Sequence, residues 1–393
     1  ISFSSQLLSE SSIHNIGSSA ESGNIFTWMQ QLGQEKPENL FPVLREIYQE
    51  KYNITVNRVG EEVYFYDMHD GKMLYILTQH SLYSRKHYPY LLCRCKRGAA
   101  VSDPDHVCKF LTQEEYVCAY FLSERRWKTK KATLPTDKRY DLDDHKAWVD
   151  KKNDGVSHFG IHPDHLRIDD IRFDVFHLRS AITKRLMSCL REFILKQSCD
   201  MMDRFYKEVL AKFWGEYNID VWKLNKTFSS FVGSEVKAFI EHTSLITAFL
   251  VDNFAANEHL TNLIQGLTLW PSLNEFLKIT KLQQGDKDDY LENLKKFEDE
   301  LKLFYSAGGK SFLTKGTIVG DDETFYMHCL RCYIPQIART TYDRHHLGVG
   351  IFTMQGYERR NKESKKIFAL YNNKRSNILT QQLNRLYDNW LLS

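Results

Sequence analysis

The sequence predicts a mixed α/β protein in which an early strand-rich region precedes a large helical block and C-terminal helices. Three observations lead there. Val56 to Tyr66 alternates apolar and polar residues and ends in Val63-Tyr64-Phe65-Tyr66, the pattern of a strand. From Leu178 the apolar residues Ile182, Leu186, Leu190, Phe193 and Ile194 recur at helical spacing. The last segment, 321–393, keeps that spacing to its end, through Ile378, Leu379, Leu383, Leu386, Tyr387 and Leu391.

The elements follow in order. Residues 1–53 open with a Ser-rich polar stretch, expected to be flexible, and continue with helical spacing from Ile25 to Tyr52 (Phe26, Met29, Leu32, Leu40, Val43, Leu44, Ile47, Tyr48). Residues 54–177 hold the strands, a helix after Asp70-Gly71 with Met73, Leu74 and Leu77 on one face, and a loop-like, Cys- and His-rich stretch over 84–160. His158 to Phe176 reads as extended and breaks at Pro163. Residues 178–320 form the helical block, with helices over about 233–252, 256–268, 272–282 and 288–306 and a stop at Gly308-Gly309. Residues 321–393 add helices near 324–341, 357–370 and 376–391.

Composition narrows the class. A chain of 393 residues with 42% hydrophobic content can build two or more cores. High aromatic content (13%) with only 8 Pro argues for a helix-rich globular protein over a fibrous or disordered one. The net charge is only +3, so any polyanion site must be a local patch. No apolar run approaches the roughly 20 residues of a membrane span. Six of the eight cysteines cluster in two groups, Cys93/Cys95/Cys108/Cys118 and Cys329/Cys332, a distribution that suits metal binding in a reducing compartment better than a disulfide framework.

Cys93-Arg94-Cys95 is followed by His106-Val107-Cys108, and these thiolates and imidazole are a donor set for tetrahedral zinc. A second pair, His328 and Cys332, is spaced to share one face of a helix and would equally complete four donors with Cys93 and Cys95. Asp67 and Asp70 follow a strand, where a carboxylate has a fixed direction, although Asp70-Gly71 is also a turn signal. Asp174 ends an extended stretch and opens the long helix; it suits an N-cap or a metal ligand, with His177 one turn away. Arg125-Arg126-Trp127-Lys128-Thr129-Lys130-Lys131 interleaves an aromatic with cations, as grooves for nucleic acid do. Glu358 sits beside Arg359, Arg360 and Lys362, a carboxylate among cations that would suit a divalent ion next to phosphates.

The order of these segments resembles the catalytic core of DDE transposases, in particular eukaryotic cut-and-paste transposases related to Transib elements and the V(D)J-recombinase catalytic subunit. Asp70–Leu77, Tyr88–Cys95, Phe173–Arg179, Tyr326–Cys332 and Gly356–Lys362 carry the likeness. It implies an RNase-H-like mixed sheet with a large helical insertion and C-terminal helices. It implies two-metal DNA cleavage and strand transfer, with Mg²⁺ or Mn²⁺ held by Asp70 and Glu358 and with Asp174 and Asp67 as further ligands. Zinc would be structural, His177 would be an outer partner, and Arg359, Arg360, Lys362, Arg125, Arg126, Lys128 and Lys130 would contact phosphates. Double-stranded DNA is the expected partner, a homodimer the expected assembly and the nucleus the expected location. Two departures stand beside the likeness. Residues 1–66 contain no Asp for the family's first catalytic position, and the cysteines are spaced C-x-C instead of C-x-x-C. A domesticated, inactive descendant acting as a DNA- or protein-binding module is therefore the alternative.

Overall fold

The computed structural model describes residues 2–6, 25–30, 49, 66–69, 71–78, 92–95, 108–133, 156–158, 160–224, 233–280, 287–308 and 325–354. Two compact units divide the chain, one formed by 1–81, 111–176 and 351–393, the other by 82–110 and 177–350.

The first unit contains β1 (Ser2–Gln6) and β2 (Ile25–Gln30), paired antiparallel, and β3 (Asp67–His69) and β4 (Ile171–Phe173), paired parallel. Between them in sequence lie α1 (Gly71–Thr78) and α2 (Gln113–Thr133). In the β3/β4 register Asp67 faces Ile171 and His69 faces Phe173. All three residues of β4 are buried, so the strand is covered on both faces. Its middle residue, Arg172, donates to the carbonyls of Asp169 and Ile171 and lies over the rings of Tyr66 and Phe352 at 4.4 and 5.4 Å. Helix α1 buries Leu74, Tyr75 and Leu77, and the Leu77 carbonyl accepts from Ile161 N at 2.8 Å. Gly160 permits that approach: a Cβ there would stand 2.5 Å from the Thr78 carbonyl oxygen.

Helix α2 is a departure from the loop expected over 84–160. It begins with a capping box: Thr112 Oγ1 accepts from Glu115 N at 3.1 Å and Glu115 Oε2 accepts from Thr112 N at 2.9 Å. Gln113 then fastens the helix start to the chain opposite, donating to Pro163 O and accepting from Ile168 N. The Thr-x-x-Glu signal is present in the sequence, and the following residues are good helix formers.

Among its described residues the second unit is mostly helical. It holds α3 (Val175–Leu195, whose first two residues belong to the first unit), α4 (Cys199–Glu208), α5 (Glu216–Leu224), α6 (Gly233–Glu241), α7 (Thr243–Asn253), α8 (Glu258–Phe276) and α9 (Lys287–Gly308). A short α10 (Phe325–His328) runs through a π turn (Cys329–Tyr333) into α11 (Ile334–His345). Leu260, Leu263, Leu267, Trp270 and Leu273 bury one face of α8 at helical spacing; Tyr290, Leu294, Phe297, Leu301 and Phe304 do the same on α9. The two faces meet in stacked rings, Phe276 on Phe297 at 4.3 Å, and Tyr290 stacks in turn on Tyr342 of α11 at 5.1 Å. Trp270 Nε1 donates to Thr183 Oγ1, and Arg179 donates to Asn274 Oδ1, joining α3 to α8. Pro271 lies inside α8, where a break between two helices was expected at about 268–272. Pro271 removes the bond to the carbonyl one turn back and crowds that carbonyl, and burial of Trp270, Leu273 and Phe276 on either side offsets this in a helix that runs on through it. His346, at φ 54°, turns the chain out of α11, and Gly348 and Gly350 then run against the backbone of Lys278 and Ile279. A Cβ at Gly348 would lie 2.2 Å from the Ile279 carbonyl oxygen, so only glycine fits.

This architecture corrects the expected fold class. The described chain is 76% helical, and its parallel sheet has two strands of three residues each. The RNase-H-like mixed sheet is overturned by that content. Strands so short cannot form a core layer, and most of the burial among the described residues comes from helix faces. The expected helix from Ile25 also differs: Ile25–Gln30 is β2, in keeping with its Ile-Phe-Thr-Trp run of β-formers. The Val56–Phe65 alternation and the helices expected at 357–370 and 376–391 lie outside the described residues.

Candidate metal centre

Cys93, Cys95, Cys108 and His328 come together inside the helical unit, with their donor atoms all within 4.8 Å of one another. Two chain segments supply them. Cys93 forms an antiparallel bridge with Phe110, which folds the 92–95 segment back against 108–110 and brings Cys93, Cys95 and Cys108 to one side. His328 ends α10, and α10 is held by the Tyr305 hydroxyl of α9, which donates to the Met327 carbonyl. Gln336 of α11 ties the two segments together, donating to the carbonyls of both Cys108 and Cys332 at 2.9 Å.

The geometry sets the role of each atom. His328 Nε2 faces the sulfurs, 3.3 Å from Cys93 Sγ and 3.4 Å from Cys108 Sγ. Its other nitrogen, Nδ1, faces Cys332 Sγ at 3.9 Å. Cys95 and Cys108 Sγ approach to 2.6 Å. Tyr333 Oη donates to Cys93 Sγ at 3.2 Å and accepts from Leu92 N at 3.3 Å. These side chains are buried, Cys95 the least so at 9% exposed. Of the two donor sets expected from sequence, the fold takes one donor from each: Cys108 from the near pair and His328 from the far pair. Cys332 stays at the edge of the group, its sulfur facing the other imidazole nitrogen and bonding to Cys108. His106 lies outside the described residues.

Electrostatics prepare the group for a cation. Burial pushes the Cys93 thiol up, but hydrogen bonds from Cys108, Cys95 and His328, with the imidazole charge, outweigh it and hold its pKa well below the ordinary thiol value. Cys95 is pushed up to about 12: its bond to Cys108 lowers it, and its bond to Cys93, burial and the Cys93 charge together win. Cys108 is raised by its bonds to Cys332, Cys93 and Cys95 and by burial. One thiolate therefore forms readily and suppresses the next two. A divalent cation removes that repulsion, and three thiolates plus one imidazole are the composition of a closed Cys₃His zinc site. The group can hold a metal ion such as zinc. Burial raises the Tyr333 phenol well above its ordinary value, with the Cys93 charge adding to it, so its hydroxyl stays a donor.

The remaining candidate residues do not form a second centre among the described residues. No carboxylate cluster of three or more metal-donor groups gathers there, and Mg²⁺ gains no support. Asp67 faces Ile171 across the parallel pair, whereas Asp174 lies three positions beyond, roughly 10 Å along the strands at about 3.3 Å per residue. Asp174 caps α3: its buried Oδ1 accepts from Phe176 N at 2.9 Å and from Met354 N at 2.8 Å. His177 is half-buried in the first turn of α3. Arg125, Arg126 and Lys128 are exposed on α2, Lys128 pairs with Glu124, and Lys130 lies 5.6 Å from the Trp127 ring. Asp70, Glu358, Arg359, Arg360 and Lys362 lie outside the described residues.

The residues missed from sequence are the outer partners Tyr333, Gln336 and Leu92. A hydroxyl five residues after a ligand histidine carries no recognisable spacing signal in a regular helix. No helix of the described chain is long and apolar enough to cross a membrane. Comparison with protein-family models finds none that matches this chain, and comparison with curated proteins likewise finds none.

Proposed function

We propose that this chain is a binding scaffold whose helical unit is stapled by a structural zinc ion, with the metal serving architecture and not chemistry. One observation carries the reading: all four donors come from the protein, three of them fully buried and Cys95 only 9% exposed, so four protein ligands fill a tetrahedral site with no position kept for substrate or water. The staple joins residues some 235 positions apart, Cys93 and His328, and so closes a very long loop. Purified protein is expected to carry one zinc per chain by elemental analysis, and a chelator is expected to lower its melting temperature. A metal-free chain with the same melting temperature would sink the reading.

The pH dependence follows from the thiols. In the metal-free pocket Cys95 and Cys108 hold their protons at neutral pH, because their values are raised. Zinc must displace both, so affinity is present at high pH and is lost as pH falls. Apparent log affinity is expected to rise by about two per pH unit, one for each displaced proton, across the neutral range. Competition titrations against a chromophoric chelator, corrected for its own protonation, measure the slope; a flat profile would exclude these thiols as ligands.

A nucleic-acid partner is the second reading, favoured by the exposed Arg125, Arg126 and Lys128 on α2. The DDE-transposase resemblance supports the same partner, in its non-catalytic form. Replacing the three by Ala is expected to weaken DNA binding across all sequences and to reduce the salt slope. Unchanged affinity and slope would remove α2 from the interface.

A further inference from the structure

We infer that the π turn Cys329–Tyr333 is a device that aims the Tyr333 hydroxyl at the metal-bound Cys93 sulfur, making Tyr333 a positioning residue that sets the donor strength of that ligand. The inference rests on the zinc reading above.

In a regular helix with about 3.6 residues per turn, a residue five positions after His328 lies roughly 140° round the axis from it. Tyr333 would then face away from the centre. The π turn closes through an i to i+5 bond, Ile334 N to Cys329 O, and the extra residue in that turn brings Tyr333 round towards His328. The two rings meet edge to face at 5.1 Å. Phe110, bridged to Cys93, also packs edge to face with Tyr333 at 5.0 Å. The ring thus touches both segments that supply the ligands.

The direction of the hydroxyl is fixed by its neighbours. Leu92 N–H can only donate, so the phenolic oxygen accepts from it. The hydroxyl's own hydrogen is left for Cys93 Sγ, 3.2 Å away. A hydrogen bond to a metal-bound thiolate withdraws electron density from sulfur, which lowers its donation to the metal and its reactivity towards electrophiles. Tyr333 bears on Cys93 from outside the four-donor group, as Cys332 bears on the imidazole and on Cys108.

The test uses the full chain with Co²⁺ in place of zinc, because the sulfur-to-cobalt charge-transfer band reports thiolate donor strength directly. Tyr333→Phe keeps the ring and removes the hydroxyl. The band is expected to move to lower energy; metal affinity is expected to fall by about tenfold or more even so, because Cys93 loses the bond that orients it and favours its thiolate form. Because this variant leaves Leu92 N without its acceptor and can lose its fold, 3-fluorotyrosine at position 333 is the second arm. It keeps ring and hydroxyl, strengthens the donor, and is expected to move the band to higher energy. Opposite shifts support the inference, and so does the fluorotyrosine shift alone if the Phe variant does not fold. An unchanged band in folded variants that still bind one Co²⁺ overturns the role of Tyr333 and leaves the zinc reading standing. A native chain that binds no Co²⁺ overturns both.

Discussion

Cys108→Ser is expected to abolish stoichiometric zinc and to open the junction between residues 92–110 and 325–333. A serine hydroxyl is not deprotonated by zinc at neutral pH as a thiol is, so the fourth ligand is lost. Metal-binding free energy in structural sites appears as folding free energy, about 10–16 kcal/mol in zinc-finger peptides, which bounds the loss from above. The actual loss is expected to be several kcal/mol, because the helical unit has a core of its own in Trp270, Leu273, Leu294, Phe297 and Phe304. Hydrogen exchange should therefore lose protection around Cys93, Cys108 and His328 while α8 and α9 keep theirs. Chelator should reproduce this in the native chain and add nothing in the variant. Equal zinc content in both would remove Cys108 from the ligand set.

Asp174→Ala is expected to destabilise the first unit by roughly 2–6 kcal/mol, at about 1–3 kcal/mol for each of two backbone N–H groups that lose their acceptor. The groups are Phe176 N, in the first turn of α3, and Met354 N, on the segment whose Phe352 carbonyl accepts from Val175 N. Asp174→Asn keeps an oxygen in the accepting position and gives up only the charge near the helix N-terminus, about 0.3–1 kcal/mol. Denaturant melts of both variants measure the difference. If Asn is as damaging as Ala, the carboxylate charge matters for another reason, and a cation near Asp174 becomes the next thing to titrate.

Part of the metal centre is legible in the sequence. Cys93, Cys95, Cys108 and His328 are residue types with few other reasons to cluster, and soft donors announce themselves by chemistry. Which of them combine is not legible there. The choice of one donor from each candidate set depends on where Gln336, Tyr305 and the π turn place His328, and these contacts join residues far apart in sequence. The role of Asp174 as a cap is one of two readings its position allows. The backbone N–H of Met354, 180 positions away, could not be foreseen as its second partner.

The fold divides the same way. The helical stretch from Leu178 and the helix near 288–306 are readable because a buried helix face imposes a spacing of three and four on its own residues, whereas 258–276 reads as two helices because of Pro271 and is one. Helix α2 is also encoded, in Thr112-x-x-Glu115, but its long polar face masks the period. A sheet carries no such local guarantee. A strand exists only when another chain segment pairs with it, and β3 finds its partner β4 about a hundred positions further on. By itself the sequence determined which residues prefer helix and which donors can bind a soft cation, since both are properties of near neighbours and of side-chain chemistry. Only the tertiary structure decided how little sheet there is among the described residues, which four donors converge, and which way the Tyr333 hydroxyl points, since each depends on distant segments meeting.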